Sequence, residues 1–142
     1  MGRVTASAST LVAAPPEQVL ELLRDYRDKR PGLLPGSYTA YRVEAGGNGA
    51  GTVIAYHFAA GGRERDYRLR VQESDGVIEE HDELSSFVSV WRVEPSGSGS
   101  KVTLQGSWEG AGGIGGFFER TFAPGGLSRI YREILNRLAA AL

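Results

Sequence analysis

Residues 108–126 read WEGAGGIGGFFERTFAPGG. Gly110, Gly112 and Gly115 spell G-x-G-x-x-G, after a strand-like run and before a run that can be helical. That order is the one a dinucleotide-binding turn requires. The motif works only inside a parallel βαβ unit, with an acid on the next strand to hold the ribose. Here residues 116–142 read as helix to the end, and Glu133, near the right distance, falls on that helix. The context for a nucleotide is absent. The glycines at 110, 112, 113, 115 and 116 instead permit the positive-φ turns by which a chain leaves a last strand and folds a helix back across a sheet. The same residues suit a flexible lip beside a cavity.

Working outward, the chain before this stretch is a series of short alternating runs. RVTASASTLV (3–12) is β-branched and alternating, hence a strand. Pro15 and Pro16 stop it, and Val19, Leu22, Leu23 and Tyr26 recur at helical spacing. Glu17 suits the positive end of that helix. DKRPGLLPG (28–36) breaks the helix twice with Pro-Gly pairs. Strands follow at 37–45, 51–59, 63–73, 76–83, 86–94 and 101–109. Links such as AGG, SDG and PSGSGS are too short for a parallel crossover, so neighbours pair antiparallel. The first strand is free to pair at the far end. The tail carries two helical stripes, 114–122 and 127–138, with Pro124-Gly125-Gly126 expected to kink or break the helix between them.

Composition narrows the function classes. The 142 residues suffice for one domain with its own core. With no cysteine, disulfides, thiolate metal sites and Cys nucleophiles are excluded. Net charge is −1, so nothing attracts nucleic acid or an anionic membrane over long range. RERDYRLR (63–70) tempts as a nucleic-acid patch, but Glu64 and Asp66 cancel much of its charge. No apolar run reaches membrane-span length and no signal-peptide core is present, so no integral membrane association is expected and the cytoplasm is the default location. No metal site or cofactor is expected: the histidines stand far apart in sequence and no acid sits at helical ligand spacing to either.

A seven-stranded sheet covered by one long helix and one or two short ones leaves space on its concave face. Large side chains to line it are abundant. The candidates for ligand contact are Tyr38, Tyr41, Tyr56, Phe58, Tyr67, Phe87, Trp91, Trp108, Phe117, Phe118, Phe122 and Tyr131, with Arg65 at the rim. On 51–59 the aromatic set Tyr56 and Phe58 is expected to face in, which turns His57 outward.

The order of elements, STLVAAPPEQVLELLRDY at 9–26, the Pro-Gly breaks at 31–36, Gly51-Thr52 and WRVEPSGSGSKVTL at 91–104 together resemble the START/Bet v 1-like (SRPBCC) superfamily. Within it the chain most resembles the bacterial polyketide cyclase/dehydrase and lipid-transport group. The resemblance covers nearly the whole chain as one domain, 1–142. It implies an α+β helix-grip fold: a curved seven-stranded antiparallel sheet around a long C-terminal helix, with a hydrophobic ligand cavity. Leu33 and Leu34 stand where many relatives carry a Trp, a departure at the expected pocket mouth.

Such a fold does not name a reaction. One reading is a carrier of a small hydrophobic ligand: a lipid, an isoprenoid or an aromatic polyketide-like molecule. A second is a cyclase, aromatase or dehydratase, for which His57, His81, Arg65 and Tyr56 are the acid/base and enolate-holding candidates. His81, among four acids in EEHDE, also fits a solvated acidic edge strand. A third is an interaction module that docks a partner on its strand edges or on the outer face of the last helix, which carries Arg120, Arg129, Arg132 and Arg137.

Overall fold

Each hairpin is set by a turn that only certain residues enter. Gly61 and Gly62 have φ of 61° and 79° and join two paired strands in two residues. Asp75 and Gly76, at 46° and 78°, do the same one hairpin later. Two successive positive φ values match the right-handed twist of the flanking strands. In the computed structural model, residues 3–109 and 124–142 are described, Arg63 and Pro124 by backbone alone.

The strands are β1 (Arg3–Val12), β2 (Tyr38–Ala45), β3 (Val53–Ala60), β4 (Arg63–Ser74), β5 (Val77–Asp82), β6 (Val88–Ser96) and β7 (Gly99–Glu109). They form one antiparallel sheet in the order β1-β7-β6-β5-β4-β3-β2. The meander is as expected, and β1 closes the far side by pairing with β7 from Arg3↔Glu109 to Val12↔Ser100. Helix α1 (Pro16–Arg24) follows β1 with proline in its first turn, and a 3-10 turn spans Arg30–Leu33. The long helix α2 runs Pro124–Ala141.

The described part of the C-terminal helix begins at Pro124-Gly125-Gly126, the triplet at which a kink or break was expected. The expected helix over 114–122 and the glycines at 110–116 lie outside the described residues.

Helix α2 buries Leu127, Tyr131, Ile134, Leu135 and Leu138, an i, i+4, i+7, i+8, i+11 stripe. It packs chiefly along β1, reaching β7 and the 3-10 turn. The inward residues of β1 are small, Ala6 and Ala8, which lets the helix lie close. Ser128 Oγ accepts the exposed edge amide of Ser7 at 3.2 Å, so the helix also blunts that sheet edge. Because α2 is seated at the β1 side, the inner faces of β3, β4 and β5 stand away from it across a gap.

Gly76 turns tightly: a Cβ there would come to 2.9 Å of the Val93 carbonyl, on top of the positive φ. Gly76→Ala is expected to lower stability by about 1–2 kcal/mol. Urea denaturation would read this as a lower midpoint with an unchanged slope.

Candidate functional site

The gap is a cleft of about 610 Å³, its open mouth included, lined by residues of β2 to β7, the 3-10 turn and α2. The cleft is tight, with room for only a few water molecules between its walls. The walls are rings. Tyr38 meets Tyr56 edge-on at 5.1 Å and Phe58 at 4.8 Å; Tyr56 stacks on Tyr67 at 5.4 Å; Tyr67 meets Phe87 at 5.3 Å. Strand alternation aims Tyr56 and Phe58 inward, as expected, and His57 outward.

Tyr38 and Tyr41 both line the cleft although three residues apart. Simple alternation puts them on opposite faces. The pairing Thr39↔His57 followed by Arg42↔Ala55 leaves two residues, Ala40 and Tyr41, opposite Tyr56 alone. This is a bulge, and Ala40 carries its positive φ of 56°. The Tyr41 hydroxyl then donates to the Tyr26 carbonyl at 2.6 Å, tying β2 to the segment after α1.

The polar end of the cleft is a buried network absent from the expected set. Glu80 Oε2 accepts from Arg30 Nη2 and from the Tyr26 hydroxyl, both at 2.6 Å. Glu80 Oε1 accepts from Ser89 Oγ at 2.7 Å. Arg30 Nη1 donates to the Leu23 carbonyl at 3.0 Å, and its guanidinium lies between the rings of Tyr26 and Trp91, 4.4 and 4.9 Å from their centroids. Burial works against the Arg30 charge, but the adjacent Glu80 more than offsets it, and its pKa is raised. Burial pushes Tyr41 up to about 12 and holds Tyr38, Tyr56, Tyr67 and Tyr131 above the ordinary tyrosine value. The cleft therefore presents neutral phenol donors near pH 7.

Of the expected contact residues, Tyr38, Tyr41, Tyr56, Phe58, Tyr67, Phe87, Trp91 and Tyr131 line this cleft. Trp108 does not: it is fully buried in the core, 6.2 Å from the Phe87 ring. Phe117, Phe118 and Phe122 lie outside the described residues. Arg65 is drawn off to the rim, its guanidinium over the Tyr67 ring and 3.7 Å from Asp82. His57 sits on the outer face between Asp66 and Glu64, at 2.7 and 2.6 Å. His81 also faces out and meets Glu79 at 2.8 Å. The acidic edge expected around His81 is corrected: β5 is an interior strand, and Ile78, Glu80 and Asp82 form its buried face.

Elsewhere several surface charges are paired. Arg68 and Arg70 of the tempting basic run bind Glu44 and Glu83 on the outer face. Arg129, Arg132 and Arg137 lie on the exposed side of α2, Arg137 holding Glu133 and the Leu34 carbonyl. Arg120 lies outside the described residues. Among the described residues no helix is long and apolar enough to cross a membrane.

A fold of this shape with an aromatic-lined cleft under the terminal helix defines a helix-grip protein. The family model for polyketide cyclase/dehydrase and lipid transport matches residues 3–142, and the chain belongs to that family. It is 44% identical to KanY protein, solved in solution by NMR, over 99% of this chain and 98% of that one, with a TM-score of 0.89. A protein from Thermus thermophilus matches at 21% identity over 97% of this chain and 99% of its own, TM-score 0.73. The Zhui aromatase/cyclase of a Streptomyces species shares the fold at 17% identity, over 99% and 93%, TM-score 0.74. No curated protein matches the sequence. Family membership supports a hydrophobic-ligand-binding or cyclase role.

Three outcomes follow for the side chains just described. Arg30→Met strands Glu80 in the interior and is expected to cost about 3–5 kcal/mol, partly recovered when Glu80→Gln is added; denaturant midpoints of the four-member cycle measure it. Gly106→Ala places a methyl against the Tyr131 hydroxyl and Phe87, with an expected loss of about 1–3 kcal/mol. The bonds to Asp66 and then Glu64 raise the pKa of His57. Its contribution to stability is therefore full below about pH 6.5, the unfolded value, and is lost as pH rises through the raised folded value. His57→Gln should flatten that part of a stability–pH profile.

Proposed function

We propose that the chain binds a small, mostly apolar molecule in the cleft between the sheet and α2, as a carrier rather than a catalyst. The observation that carries this reading is the composition of the wall: packed aromatic rings, phenols held neutral, and no unengaged base among the described lining residues. Glu80 is the one carboxylate there, and its two oxygens already take three donors. The two histidines, the natural proton-transfer groups near neutral pH, point to the other side of the sheet. A lipid, isoprenoid or aromatic polyketide-like molecule fits walls of this chemistry. The tightness of the cleft means that such a ligand parts the rings as it enters.

The competing reading is a cyclase, aromatase or dehydratase in the same cleft. It would need Glu80 to release a donor and take a proton, with Arg30 and the tyrosines holding the developing enolate. Protein purified from cells should carry ligand visible by native mass spectrometry, and a hydrophobic panel should raise Tm. At 100-fold over Kd the stabilisation is about 2.7 kcal/mol, several degrees for a domain of this size. An empty protein with no shift across the panel would refute the carrier reading. Turnover of a polyketide-like substrate that is lost in Glu80→Gln would replace it with the enzymatic one.

A further inference from the structure

Two donors in the cleft wall have no hydrogen-bond partner among the described residues: the Trp91 indole N–H and the Tyr131 hydroxyl, both on side chains at least nine-tenths buried. Both residues line the cleft. They come from different elements. Trp91 is on β6, two residues from Ser89 on the same inward face. Ser89 pairs with Gly106 across the sheet, and the Tyr131 hydroxyl, from α2, rests against Gly106 where any side chain would exclude it. Both donors therefore border the strip that carries Ser89, next to the Glu80 network. Glu80 takes its three donors from Tyr26, Arg30 and Ser89, and neither of these two groups bonds to it.

A buried donor without an acceptor costs the full desolvation of the group, about 1–3 kcal/mol. A ligand entering here, or the water it displaces, has to supply an acceptor atom. We propose that the ligand is a flat, largely hydrocarbon molecule with a neutral acceptor oxygen, a ketone or quinone-type carbonyl, held by Trp91 Nε1 and the Tyr131 hydroxyl. The inference rests on the reading of the cleft as a ligand site and narrows it to a chemical class. Two neutral donors beside an Arg30 already paired to Glu80 supply no free positive charge for a ligand carboxylate or phosphate, and a bare hydrocarbon leaves both donors unpaired.

The test uses a matched pair, 1-tetralone and tetralin, which differ at one carbon by the carbonyl oxygen. Affinities are measured by following protein resonances in NMR titrations of the full chain. The ketone is expected to bind roughly tenfold tighter or more, against the order that hydrophobicity alone would set. The ketone-to-hydrocarbon ratio should fall toward one in Trp91→Phe and in Tyr131→Phe. In the unaltered protein the carbonyl stretch of bound 1-tetralone should lie below its position in hexane, a readout that needs no variant. Equal affinities with the carbonyl stretch at its hexane position overturn the inference while leaving the cleft a hydrophobic site. A preference that survives both substitutions assigns the acceptor to other groups and also overturns it. Binding of neither probe removes the inference together with the reading it rests on.

Discussion

The buried Arg30–Glu80 pair is the constraint around which the cleft is arranged. Taking both charges out of water is costly, and their attraction repays it only where every remaining lone pair and proton is used. Here Tyr26, Ser89 and the Leu23 carbonyl take groups that the pair leaves over, and two rings face the guanidinium. The consequence is positional. Arg30 belongs to the irregular segment after α1 and Glu80 to the centre of the sheet, so one contact fixes the segment 25–36 over β5 and sets one end of the cleft. Tyr41, carried to the same place by the bulge in β2, adds a second tie to that segment.

With that end fixed, the remaining shape follows from supply. Seven strands present more inner surface than one long helix covers, and α2 is held to the β1 side by small residues and an edge hydrogen bond. The uncovered part of the inner face is the part rich in tyrosine. Tyrosine reconciles two demands: its ring covers apolar neighbours, and its hydroxyl supplies polarity without a charge. The titrating and fully charged groups are sorted outward, where His57 and the arginines of β4 find carboxylates in solvent. The interior thus differs from a hydrophobic core by a few neutral donors and one satisfied ion pair.

Much of the architecture was legible in the residues. The Asp75-Gly76 and Gly61-Gly62 turns, the short links and the alternation on 51–59 were enough to define the meander and to put Tyr56 inside and His57 outside. The glycine motif at 110–115 could be set aside as a nucleotide site because no parallel strand follows it. What stayed hidden was non-local. Arg30 stands inside a Pro-Gly break and reads as loop; Glu80 stands in EEHDE and reads as acidic surface. Each is buried only because the other is, and no local pattern pairs residues fifty positions apart. The bulge at Ala40–Tyr41 was invisible for a related reason: an alanine at positive φ has no sequence signature. Trp108 illustrates the opposite error, since its size marks it as buried without saying whether core or cleft receives it.

On the proposed reading a ligand occupies the inner face of β3 to β6, beneath α2. Amide and indole shifts followed by NMR while a hydrophobic ligand is titrated locate it. They should concentrate at Tyr38, Tyr56, Tyr67, Ser89, Trp91 and Tyr131, with the Trp91 indole moving more than that of Trp108. Shifts clustered instead around His57, His81 and the outer face of β4, with the inner residues unmoved, would contradict it.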